Sequence, residues 1–128
     1  MSSLSTSGQA GSPVKPGAAL DIATAFLNAW VAQDFETVAG LLADDFAFEG
    51  PIAHYDSAES FLGGSRAFVA RLEPRWSKIA AFGDDHEALL LYDLHLVSGA
   101  ALRIADHYTV REGRIQAEQI LWDTEGQR

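Results

Sequence analysis

Asp106 and His107 stand side by side in the stretch RIADHYTVREGRI, residues 103 to 115. It reads as a strand, a turn and the start of another strand, and charged residues are scarce in the middle of half-buried strands. Asp93 and His95 lie at i and i+2 in the preceding strand pattern, and so share a face; Glu118 lies in the following one. Carboxyl groups beside a histidine that titrates near neutrality can supply a base, an acid and a hydrogen-bond donor, the parts that proton transfer needs. A carboxyl set against apolar side chains has its charged form disfavoured, and a second carboxylate nearby adds to the effect. A neutral Asp106 could then donate a hydrogen bond to a carbonyl or oxyanion, with Asp93 or His95 as base.

Which of these groups meet depends on the turns. A two-residue or four-residue loop at Ser98-Gly99 puts Leu91, Asp93, His95, Leu102, Ile104, Asp106 and Tyr108 on one face. Leu90, Tyr92, Leu94, Leu96, Arg103, Ala105 and His107 then share the other, and a three-residue loop would reverse the match. The turn Arg111-Glu112-Gly113 has glycine third, which suits a three-residue loop closed by a bulge with Gly113 left-handed. That register sets Glu118 opposite Asp106, Ile120 opposite Ile104 and Trp122 opposite Leu102. Without the bulge Gln119 and Leu121 take those places; the glycine favours the bulge. A sheet apolar on both faces needs cover on both, so Leu90, Tyr92, Leu94 and Leu96 predict a homodimer through the outer sheet face.

The elements that hold these strands begin at Ala18. AALDIATAFLNAWVAQ places Ile22, Phe26, Ala29, Trp30 and Gln33 at helical spacing. DFETVAGLLADDF opens on Asp34, a good N-cap, and predicts a second helix. FAFEGPIAHY, broken by Gly50-Pro51, suits a short edge strand or an extended segment ending in a turn. Asp56 and Glu59 form a capping arrangement for a third helix that Gly63 and Gly64 weaken and Pro74 ends, with His54-Tyr55 as its staple. Four strand patterns follow, split by turn residues. Helices first and a strand meander afterwards is an α+β order.

The 128 residues suffice for one domain, over residues 17–128, behind a flexible tail of small and polar residues, 1–16. A formal charge of -9 repels phosphate backbones and anionic lipid, so no nucleic acid partner is expected. Cysteine is absent, which removes thiolate ligands and nucleophiles. The four histidines, 54, 86, 95 and 107, never fall at tight ligand spacing, so neither a metal nor another cofactor is expected. No apolar run reaches the roughly 18 residues of a membrane span, and the first residues lack the features of a secretory signal. A cytoplasmic protein is the expectation.

The helix pair, the LLADDFAFEGP passage and the run DHYTVREGRI followed by LWD resemble the nuclear transport factor 2-like superfamily, which includes ketosteroid isomerases and SnoaL-like polyketide cyclases. The likeness covers about residues 18 to 123. It implies a strongly curved antiparallel sheet wrapped against the helices into a cone with a ligand pocket at its open end. It also implies that Asp106 points into that pocket, as the oxyanion-binding aspartic acid of ketosteroid isomerases does. Phe26, Trp30, Ile104, Tyr108, Glu118 and Trp122 would line it. The sequence departs from that enzyme at Gly50, where its base would stand, and at Phe26, where its hydroxyl-bearing tyrosine would be. Limonene epoxide hydrolases, similar in fold, hold an arginine between two aspartates; here Leu91 precedes Asp93 at the matching interval and Arg103 is expected on the other face. The function that follows is a small-molecule protein, expected to be a cofactor-free enzyme doing proton transfer on a small hydrophobic ligand. The alternatives are a non-catalytic binding module and a dimeric scaffold with a vestigial pocket.

Overall fold

The computed structural model describes residues 18–123, so the flexible tail expected over residues 1–16 lies outside the described residues. The first helix, α1, spans Ala18–Val31 and buries Ala19, Ala23, Phe26 and Leu27, one stripe at helical spacing. Gln33 turns left-handed after it, at φ 62°. Asp34 then caps α2 (Phe35–Leu41), its side chain accepting from the Thr37 amide at 3.3 Å and the Thr37 hydroxyl at 2.7 Å.

That second helix is shorter than the sequence predicts. Leu42 adopts an extended conformation and opens β1 (Leu42–Glu49), where Leu42, Phe46 and Phe48 are buried while Asp44 and Asp45 are exposed. β1 pairs in parallel with β6 (Arg114–Trp122), matching Leu42 to Ile115 and Ala47 to Ala117, and an irregularity between those pairs carries the acidic residues outward. The backbone ladder to a central strand thus overrides the helical propensity of LLADD. β1 is therefore not an edge strand: the two-residue β2 (His54–Tyr55) covers it.

α3 (Ala58–Leu72) is capped by Ser57, whose hydroxyl accepts from the Ser60 amide at 3.1 Å, rather than by Asp56. Asp56 instead takes a 2.7 Å hydrogen bond from His54 Nε2. The helix ends on a left-handed Glu73 before Pro74. β3 (Arg75–Gly83), β4 (Glu87–His95) and β5 (Ala101–Arg111) then lead into β6 as a meander. The sheet order is β2-β1-β6-β5-β4-β3, antiparallel except for the parallel β1–β6 pair, so the curved sheet is mixed rather than wholly antiparallel. Its register shifts at Lys78/Ala80 and Thr109/Val110, which bends an open sheet around the helices. The architecture is the α+β cone that the sequence implies.

The strand register decides the site. The loop from β4 to β5 holds five residues, because His95 pairs with Ala101, and an odd loop reverses the predicted grouping. Leu90, Tyr92 and Leu94 face the core with Leu102, Ile104, Asp106 and Tyr108, whereas Leu91, Asp93 and His95 face outward with Arg103, Ala105 and His107. At the next hairpin Arg111 pairs with Arg114, leaving a two-residue turn, and both Glu112 (φ 55°) and Gly113 (φ 78°) are left-handed. The bulge sits one step into the strands, between Thr109 and Val110, so Glu118 lies opposite Tyr108 and Ile120 opposite Asp106. Trp122 accordingly lies opposite Ile104. Glu118 keeps to the inner face, diagonal to Asp106.

Candidate active site

The inner face carries two buried carboxyls, Asp106 with no exposed surface and Glu118 at 6%. Alternation along β5 points Ile104, Asp106 and Tyr108 at the helices, and Phe26 of α1 packs edge-on against Tyr108 at 5.7 Å between ring centroids. Asp106 Oδ2 accepts two hydrogen bonds of 2.7 Å, from the Tyr92 and Tyr108 hydroxyls. Asp106 Oδ1 and Glu118 Oε1 are buried without another partner among the described residues. Two adjacent buried carboxyls with such oxygens are satisfied when one proton lies between them.

Burial pushes Asp106 up to about 6, with hydrogen bonds from Glu118, Tyr92 and Tyr108 and the nearby His107 holding it down. Burial drives Glu118 much further up, and the Asp106 carboxylate beside it adds to the rise. Both tyrosines are pushed well above the ordinary phenol range by burial and by the two carboxyls, so they remain donors. Burial and the nearness of the second carboxyl thus favour one proton held between Asp106 and Glu118. The carboxyl expected to be the neutral donor, Asp106, is thus one member of a buried pair with Glu118. The arrangement offers a buried anion that can take a proton beside a carboxylic acid that can give one.

Asp93 and His95 do not join this group, since both are on the outer face. Arg103, expected across the sheet from Asp93, grips it with two bonds, Nε to Oδ1 at 2.9 Å and Nη2 to Oδ2 at 3.1 Å. That contact holds the Asp93 carboxyl below its usual range. His95 Nε2 and the Ser77 hydroxyl are 2.9 Å apart, and His107 Nε2 meets Glu87 Oε1 at 2.8 Å. Of the expected lining residues, Phe26, Ile104 and Tyr108 are buried around Asp106, and Trp30 and Trp122 are half-buried.

Tyr92, expected on the outer face, lies on the inner one and donates to Asp106. The signal for it lay in the strand itself. Leu90, Tyr92 and Leu94 form an apolar row, while Leu91, Asp93 and His95 form a polar one, and the apolar row belongs inside whatever the loop length.

Among the described residues no group of three His, Asp or Glu side chains could hold a metal ion. No helix among them is long and apolar enough to cross a membrane. Asp106, Glu118 and the two tyrosines lie on the inner wall of an α+β cone.

A cone of this topology with polar groups on its inner wall defines a class of small domains built around a concave sheet. A sequence model of the SnoaL-like domain matches residues 23–118, and the chain belongs to that family. The crystal structure of a protein from Kribbella flavida DSM 17836 is similar, at 34% identity and a TM-score of 0.76 over 84% of this chain and 88% of that one. An M. tuberculosis LEH-like epoxide hydrolase shares the fold at 22% identity and a TM-score of 0.78, over 86% of each chain. A Kribbella flavida protein designated a ketosteroid isomerase does so at 16% identity and a TM-score of 0.76, over 84% of this chain and 79% of that one. No curated protein matches the sequence.

Proposed function

We propose that the protein is a cofactor-free enzyme that moves a proton on a small hydrophobic ligand bearing a carbonyl or hydroxyl, in an isomerisation, cyclisation or hydration. Asp106 is the base, Glu118 the acid, and Tyr92 and Tyr108 steady the negative charge. Phe26, Trp30, Ile104, Tyr108 and Trp122 are the apolar surroundings of the ligand. The observation that carries this reading is the fully buried Asp106 carboxyl, bonded by two phenols at 2.7 Å beside a buried Glu118. Such a group is expensive to bury unless it is used or fully satisfied, and its Oδ1 and Oε1 of Glu118 are left to share a proton.

The test is a titration with a fluorescent naphthol, following binding and ionisation, in the wild type, Asp106→Asn and Glu118→Gln. Saturable binding with naphthol ionisation altered in both variants is expected. Binding that ignores both substitutions would leave a pocket without chemistry, the non-catalytic binding reading. The homodimer through the outer sheet face is proposed on other residues than Leu90, Tyr92 and Leu94, which are core. Phe82 is 69% exposed, Leu121 60% and Leu89 43%, on the face that the helices leave open.

A further inference from the structure

The chain has three tryptophans, and all three lie toward one end of the cone. The first turn of α1 is tied to the β3–β4 turn, where the Ala19 amide donates to the Asp84 carbonyl at 3.1 Å. Its last turns are tied to the start of β3, where Trp76 Nε1 donates to Asn28 Oδ1 at 2.9 Å. α1 therefore runs along the sheet and ends over the margin where β3 begins. Trp76 lies there in the row of Leu94 and Leu102, and Trp122 is in the neighbouring row, opposite Ile104. Trp30 follows Asn28 by half a turn and packs on Phe68 of α3 at 5.8 Å. The Asp106 row is the next one inward from Ile104 and Trp122.

Trp76 spends its N–H on Asn28, but the other two do not. Trp30 Nε1 and Trp122 Nε1 are buried without an acceptor among the described residues, although both rings are only half-buried. An indole N–H is a donor only, and a buried one usually finds a partner, since leaving it unpaired costs a lost hydrogen bond. A carboxyl pair can heal itself by sharing a proton; two donors cannot heal each other. The complement they lack is an acceptor oxygen carried on something flat and apolar enough to lie against indole rings.

We propose that Trp30 and Trp122 form an acceptor-recognising subsite, so that the ligand is a flat hydrophobic molecule with a carbonyl-type oxygen at the end remote from Asp106. This rests on the reading of Asp106 as the reacting group, and it adds a second polar point to the ligand. The formal charge of -9 favours a neutral oxygen over a carboxylate there.

With only three tryptophans, the indole N–H signals of ¹⁵N-labelled full-length protein form a three-peak spectrum. The probes are 2-acetylnaphthalene and 2-ethylnaphthalene, alike in shape, of which only the first carries an acceptor. The ketone is expected to move the Trp30 and Trp122 indole protons downfield and leave Trp76 in place, while the hydrocarbon gives no downfield shift. The ketone is expected to bind about fivefold more tightly than the hydrocarbon, and Trp30→Phe or Trp122→Phe to shrink that preference while sparing hydrocarbon affinity. A preference unchanged in both variants overturns the subsite, as does failure of the wild type to bind either probe. Indole signals already at hydrogen-bonded positions in the free protein and indifferent to the ketone overturn it too, since water would then be the partner. Asp106→Asn separates the two ideas: it is expected to leave the ketone preference intact, and its naphthol response tests the base alone.

Discussion

Asp106 is stabilised as an anion by hydrogen bonds and penalised as an anion by burial, and burial wins, raising it from the ordinary aspartate value to about 6. The folded chain therefore binds a proton that the unfolded chain has already lost between about pH 4 and 6, and stability falls as pH rises through that window. A shift of this size is worth roughly 3 kcal/mol, and Glu118, raised further, extends the fall above it. Denaturant unfolding from pH 4 to 7.5 should show this decline in the wild type relative to Asp106→Asn; equal profiles would mean that the group is not buried as described. Tyr92→Phe keeps the ring and removes one of the two phenols on Oδ2. Its cost should be about 2 kcal/mol at neutral pH, where the acceptor is charged, and smaller at pH 4. A pH-independent loss would place the tyrosine's value in packing alone.

Adjacent glycines in α3 separate helix propensity from packing. Nothing lies within 4 Å of a methyl group added at Gly63, so Gly63→Ala should stabilise the protein by about 0.5 to 1 kcal/mol. A methyl group at Gly64 would collide with the Tyr55 hydroxyl, and that ring is wedged between Phe48 and Phe61 at 5.9 Å from each. Gly64→Ala should therefore destabilise by about 1 to 3 kcal/mol despite the gain in propensity, and less in a Tyr55→Phe background. Thermal melts of the four variants suffice, and a stabilised Gly64→Ala would show that Tyr55 moves freely. The sequence reads these glycines only as weakening the helix, because the Tyr55 contact joins β2 to α3 and has no local signature. The helices, the meander and the left-handed Gly113 are legible, since each is written in local period and turn chemistry, whereas the turn there holds two residues rather than the three expected. The strand at Leu42 is not legible, because its parallel partner, Ile115, lies 73 residues downstream and decides it. The site is half legible: Asp106 and Glu118 stand out as charges among apolar residues, whereas the face of Asp93 and His95 depends on the β4–β5 loop length, and an even count reverses it for every side chain of β4.

At the scale of the whole molecule, the helices cover the inner face of the sheet and leave Phe82, Leu89 and Leu121 to solvent on the outer one. A second copy laid on that face would hide them, and it would bring two chains of formal charge -9 together. Apolar contact and like-charge repulsion then oppose each other, and they respond differently to salt. Screening shortens the reach of the repulsion to about 10 Å at 0.1 M ionic strength, while apolar burial is not weakened by it. The dimer proposed above should consequently tighten as salt rises from about 20 to 300 mM, opposite to an assembly held by ion pairs across the interface. Sedimentation equilibrium across that range reads the trend directly. Phe82→Glu, which adds a charge at the most exposed aromatic ring of that face, should leave the chain folded and monomeric at every salt concentration. A monomeric wild type, or a dimer that loosens with salt and ignores Phe82→Glu, would mean that the open face is not where two copies meet.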